Sequence, residues 1–154
     1  MAKLALEDIR KFFKKIPTMP VNSEEFQRYL AIVHSTDHLE QIIELLQEEY
    51  KAEIVCCSET LKEPRYILSE EIKIALGWLE SKKVIEAPAV IEELTKSLYN
   101  ERKIGREKVL LDIAQGNLLP EKGNETIIGL LWLDSLGYHL ARIIKHLNNS
   151  RPIG

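Results

Sequence analysis

Apolar side chains recur every three or four positions along almost the whole chain, which is the spacing of one helix face rather than of a strand. Leu4 to Ile16 carries a short amphipathic pattern, stopped by Pro17 and Pro20. Asn22, with Glu25 three residues later, has the form of a helix N-cap. The helix it opens is expected to run to about Tyr50 or Ile54, with Tyr29, Ile32, Thr36, Leu39, Ile43, Leu46 and Tyr50 along its core seam. Val55 to Ile67 has no clean period and contains Pro64, so it reads as a connection. Ser69-Glu70-Glu71 restarts a helix through Leu79 and Glu80, with Ile72, Leu76 and Leu79 inward. Ala87-Pro88 begins a fourth helix, since proline in the first turn gives up no needed hydrogen bond. Its apolar positions are Val90, Ile91, Leu94, Leu98, Ile104, Val109, Leu110 and Ile113, and it ends near Gly116. Leu119 to Gly123 reads as a turn, and the last helix runs from Asn124 to about Asn148 on Leu133, Leu136, Leu140, Ile144 and Leu147. Nothing alternates with period two for long enough to be a strand. The expected fold is all-α, a single-domain antiparallel bundle of about five helices.

Composition narrows the functional classes. At 154 residues the chain is long enough for one domain with a real core. Its 21 basic and 24 acidic side chains are mixed along the sequence for a net charge of −3, so no broad basic field is available to hold a nucleic-acid backbone. The densest basic run, Arg102 to Lys108, is interrupted by Glu107 and reads as a solvated helix face. Cys56 and Cys57 are neighbours, which rarely reach disulfide geometry, and no second pair exists for a framework or a zinc site. That usage fits a reducing, cytoplasmic setting. The start, MAKLALEDIRKFF, is charged too early for a signal peptide, and no uninterrupted apolar run approaches the ~20 residues of a spanning helix. Direct membrane insertion of this chain is not expected.

Few residues suggest chemistry. His34 and His38 have the i, i+4 spacing that lets two imidazoles share a metal. Their phase lies almost opposite the Leu39, Ile43, Leu46 seam, so both are expected in water, and His139 and His146 fall off the last helix's core face. No Glu-x-x-His, Gly-rich phosphate loop, H-E-x-x-H or G-x-S-x-G occurs. The carboxylates are more suggestive. Asp37, Glu40 and Glu44 continue a stripe that begins with Phe26, Leu30 and Val33. Such a stripe is either an oxygen-ligand set for a hard cation or the solvated end of a helix.

An internal echo stands out more. A shift of 94 positions places Val33 on Ile127, Leu39 on Leu133, Glu40 on Asp134, Ile42 on Leu136 and Leu46 on Leu140, each keeping its helical phase. An acid follows a leucine both times, in LEQIIELL and LDSLGYHL. At these residues the chain resembles the PhoU family, whose helical domain consists of two three-helix repeats, each with an acidic signature on its third helix. Asp37 to Glu44 matches the first signature and Leu131 to His139 the second. The likeness is greatest to the PhoU-like domain that follows the membrane region of bacterial sodium/phosphate cotransporters. There the order of an Arg- and Glu-rich helix, a Gly-plus-polar turn and a Leu-rich helix with a histidine is similar to 100–116, 117–125 and 127–146.

The resemblance implies one PhoU-like domain over 1–154, with 1–54 as the end of a first repeat, shortened on its N-terminal side, and 67–148 as a second three-helix repeat. It implies a non-enzymatic regulatory or interaction domain linked to sodium-dependent phosphate transport. The implied partner is a transporter's membrane portion, another protein or a second copy of the chain, and the implied location is cytoplasmic, tethered at the inner membrane face. Acids four residues apart in the signature bind metal in PhoU proteins. That makes Glu40, Glu44 and Asp134 the candidate ligands, a divalent metal the candidate cofactor, and a metal-binding or metal-sensing bundle the alternative function. Tyr138 stands where the second signature's partner acid belongs.

Overall fold

A computed structural model describes residues 1–81 and 86–150; the parts of the domain expectation on 82–85 and 151–154 lie outside the described residues. Six α-helices follow one another: α1 Ala2–Phe13, α2 Glu24–Leu46, α3 Glu49–Cys57, α4 Lys62–Ser81, α5 Ala87–Ala114 and α6 Pro120–Asn149, with a 3-10 turn, Glu59–Leu61, before α4. No strand occurs among the described residues. The all-α expectation holds, with one helix more than expected.

α6 is the axis. α5, α2, α4 and α3 all pack on it, and α1 packs on α2. α4, α5 and α6 contact one another pairwise and form a three-helix unit. Its core divides into two groups. One joins Val55, Leu61, Leu68, Leu98, Leu133 and Leu136 around α6's first half. The other gathers Ala75, Trp78, Ala87, Ile91 and Ile144 at the opposite end. By length and mean hydropathy (1.3) α6 would also qualify as a membrane span. Its place at the centre of the bundle accounts for that apolar composition.

Helix boundaries follow from capping and from one tertiary hydrogen bond. Ser23, not Asn22, caps α2: its Oγ accepts from the Phe26 amide at 3.1 Å. Asn22 takes the left-handed turn before it, at φ 72°, a conformation that asparagine tolerates better than most residues. The single helix expected to reach Tyr50 breaks after Leu46 instead. The Trp132 indole of α6 donates to the Leu45 carbonyl at 3.0 Å, satisfying an acceptor that continued helix would have used. The chain then turns, and α3 brings Val55 into the core at 3% exposure. The expected connection over 55–67 is mostly helical. Pro64 belongs to the first turn of α4, where its missing N–H costs nothing. α5 ends as expected near Gly116, which sits at φ +75°. Asn117 N bonds to Asp112 O at 2.8 Å and Gly116 N to Ile113 O at 3.0 Å, the pair of bonds of a Schellman cap. The expected turn at 119–123 is already α6, opened by Pro120.

The phase of two helices differs from expectation. On α4 the buried stripe is Pro64, Leu68, Glu71, Ala75 and Trp78, whereas Ile72, Leu76 and Leu79 are 41%, 54% and 40% exposed. On α2 the buried positions are Ala31, Ser35 and Thr36; Ile32, Leu39 and Leu46 are exposed, as is Tyr50, which belongs to α3. Of the expected α5 positions, Ile91, Leu98 and Val109 are buried, and Val90, Ile104 and Leu110 are exposed. Both α2 and α4 carry two adjacent apolar stripes. Against α6, α2 turns the stripe with the smaller side chains, where Ala31 and Ser35 let the helix axes approach closely; on α4 the buried stripe combines Ala75 with the larger Leu68 and Trp78, which fill the two core groups.

Candidate functional site

The stripes left outside meet in a groove. α2 supplies Ile32 and Leu39, α4 supplies Ile72 and Leu76, and α6 supplies Leu140 and Ile143, around a cleft of about 490 Å³. Ile32 and Thr36 also line a second cleft of about 830 Å³ with Ile9, Phe12 and Tyr29, so the apolar surface continues across α2 to α1.

The acids singled out from the sequence go to two places. Glu40 and Glu44 line a small cleft of about 150 Å³ against α1. There Arg10 Nη2 donates to Glu40 Oε2 at 2.5 Å and to Asp37 Oδ1 at 3.2 Å. Glu44 accepts from the Gln41 amide at 3.4 Å. Asp134 lines a different pocket, of about 630 Å³, with Thr95, Arg102, Tyr138 and His139. Arg102 Nε lies 2.7 Å from Asp134 Oδ2, close enough for an ion pair although the N–H direction misses hydrogen-bond alignment. The two signature acids therefore each meet an arginine from the preceding long or short helix, α1 in one case and α5 in the other. Among the described residues, no three His, Cys, Asp or Glu side chains are placed, as they stand, to hold a metal ion. Cys56 and Cys57 are both free and exposed.

Behind the Asp134 pocket lies a residue the sequence reading passed over. Glu71 has no exposed surface. Thr95 Oγ1 donates to its Oε1 at 2.9 Å, while Oε2 has no hydrogen-bond partner. Burial raises its pKa from 4.5 to about 8; the Thr95 bond opposes the rise and the Asp134 charge adds to it. Asp134 is also raised, by burial, against the pull of Arg102. Gly137 makes room for the Glu71 carboxyl: a Cβ there would sit 2.8 Å from Oε2 and would collide with Leu98 Cδ1. The signal for Glu71 was its spacing with Leu68, Ala75 and Trp78, three and four residues apart, on the stripe not chosen as core.

The histidines require a correction. His34 is exposed as expected, but His38 is half-buried between α2 and α6, and all four histidines of the chain meet there. His38 Nδ1 and His139 Nδ1 are 2.9 Å apart. The His38 and His146 rings stack at 5.7 Å and 22°, and His34 lies 5.2 Å from His146. Phase counted from the Leu39, Ile43, Leu46 stripe pointed His38 to water; once Ala31 and Ser35 face α6, His38 turns toward α6 too. Burial is the main cause lowering the pKa values of His38, His139 and His146. At His38 the neighbouring His139, His146 and Arg142 add to that, and Asp37 opposes it.

Family models, curated proteins and solved structures yield no match to this chain.

Proposed function

We propose that this chain is a non-enzymatic interaction domain of PhoU-like build, and that it works by docking an apolar helix of a partner protein in the α2–α4–α6 groove. One observation carries the reading. Leu39 and Leu133 are echoes in sequence, yet Leu133 is 2% exposed inside a three-helix unit and Leu39 is 40% exposed on the groove. α2 thus presents to solvent the kind of face that α6 buries under two neighbours, and the element that buries such a face is another helix. The exposed apolar side chains here are contiguous across three helices rather than scattered singly, which is the form an interaction surface takes. The arginine that meets each echoed acid, Arg10 at Glu40 and Arg102 at Asp134, gives the two halves a further likeness. The family resemblance supplies the partner's class: the membrane portion of a transporter, of the sodium/phosphate cotransporter kind, which would hold the domain at the inner membrane face.

Site-specific photo-crosslinking from position 76 in the native cell tests this. The expected product joins the chain to a polytopic transport protein identified by mass spectrometry, and Leu39→Asp abolishes it. Crosslinks only to a second copy, or to no membrane protein, overturn the reading.

A further inference from the structure

The four histidines are not used by the docking groove, and their arrangement is uncommon. They are the chain's whole complement of this residue, and they come from two helices 101 positions apart at their closest pair. His34 and His38 are one turn apart on α2, and His139 and His146 two turns apart on α6, so each pair lies on one face of its helix. The interface between α2 and α6 brings both faces together in one strip of imidazoles, with His38, His139 and His146 half-buried and His34 at its exposed edge. Ring centroids stand at 5.2 Å for His34–His146, 5.2 Å for His38–His139 and 5.7 Å for His38–His146.

We infer that this strip is a binding site for one borderline transition-metal ion, of the zinc, cobalt, nickel or copper class, bridging α2 and α6. The central pair supplies the geometry. His38 Nδ1 and His139 Nδ1 share a hydrogen bond at 2.9 Å; two imidazole nitrogens on one tetrahedral ion at about 2.0–2.1 Å stand about 3.3–3.4 Å apart, so an ion that displaces the shared proton needs the pair to open by only about 0.5 Å. His146, stacked on His38 at 5.7 Å between ring centroids, is the nearest candidate for a third ligand, and His34, 5.2 Å from His146, for a fourth. Donor chemistry selects the ion. Imidazole suits zinc, copper and nickel, whereas magnesium and calcium require oxygen ligands. Lowered pKa values leave the rings in the neutral form that ligates. Arg142 and Lys145 on α6 oppose added positive charge, Asp37 on α2 offsets part of that, and Tyr138 packs against the His38 and His139 rings. Glu40 and Glu44 lie on the α1 side of α2, engaged by Arg10 and Gln41, whereas Asp134 shares a pocket with His139 and is paired with Arg102.

Tag-free protein titrated calorimetrically with Co²⁺, Ni²⁺ and Zn²⁺ at neutral pH is expected to take up one ion per chain, and none of Mg²⁺. His38→Gln and His139→Gln should each weaken binding tenfold or more. Absence of binding overturns the inference. So does binding that survives His139→Gln, which would place the ion on the His34–His38 pair of α2 alone. Should a variant fail to fold, substoichiometric Co²⁺ added to the unmodified protein decides. Broadening of imidazole proton signals from both helices supports the bridging site, and broadening confined to one helix refutes it.

Discussion

A carboxyl group with no exposed surface keeps its proton when the alternative is an unpaired charge in a low-dielectric interior. That is the state of Glu71 below its pKa of about 8. The unfolded chain releases the same proton near 4.5. Between these values the folded state holds one proton more than the unfolded state, so stability falls as pH rises through the window. The slope contributed is at most about 1.4 kcal/mol per pH unit. Glu71→Gln keeps the shape and the Thr95 bond without the ionisation. Denaturant midpoints measured from pH 5 to pH 9 should fall for the parent chain and stay nearly level for the variant; parallel curves would refute the assignment. The two arginine pairs make a second residue-scale contrast. Arg10 and Glu40 are 44% and 43% exposed, so Arg10→Ala should change stability by about 0–1 kcal/mol. Asp134 is 14% exposed, and Arg102→Ala leaves its charge without a counter-ion in a half-dry site. That loss should be clearly the larger, about 3 kcal/mol, and equal midpoints for the two variants would contradict the difference in burial.

At the scale of elements, helix type was legible, and so was the phase of α6, whose expected Leu133, Leu136 and Ile144 are buried, whereas the phase of α2 and α4 was not. Periodicity locates α1, α2, α5 and α6, and the stops at Pro17 and Gly116 lie close to the ends observed. What periodicity cannot weigh is which of two apolar stripes a neighbour will choose. On α2, Ile32 and Leu39 are larger than the chosen Ala31 and Ser35, and hydrophobicity favours them, while close approach to α6 favours the smaller side chains; on α4, Ile72, Leu76 and Leu79 form a cleaner apolar run than the chosen stripe, which is interrupted by Pro64 and Glu71. The same inversion on α2 hid the histidine cluster, and on α4 it hid Glu71. The break after Leu46 was equally invisible, because the indole that satisfies the Leu45 carbonyl there, beside the Glu48 amide, lies 87 residues away. Glu40, Glu44 and Asp134 were found as an echo, but their arginine partners come from other helices and leave no local mark. Close approach has a direct consequence at α6. Gly137→Ala sets a methyl group against Leu98 and the Glu71 carboxyl, neither of which has free space to move into. A destabilisation of about 1–3 kcal/mol is expected in urea unfolding; a neutral result would mean that α5 and α6 separate easily.

For the whole molecule, the groove separates stability from association. Trp78, at 2% exposure, holds the far end of the three-helix unit, and Trp78→Ala should cost about 3–5 kcal/mol. Leu39 and Leu76, at 40% and 54% exposure, contribute less to the fold although each is as apolar as a core leucine. A Leu39→Glu, Leu76→Glu double variant should therefore unfold within about 1 kcal/mol of the parent, since charges on an exposed rim meet water and not protein. Its association should change far more. Two carboxylates on the groove walls would face the apolar side chains of any docked helix, and an unpaired charge left dry at an interface costs several kcal/mol. Light scattering and denaturation on the same samples distinguish the two roles. Unchanged stability with lost partner capture places the groove outside the folding core, whereas a collapse in stability would mean that these leucines belong to it and that the chain has no docking face there.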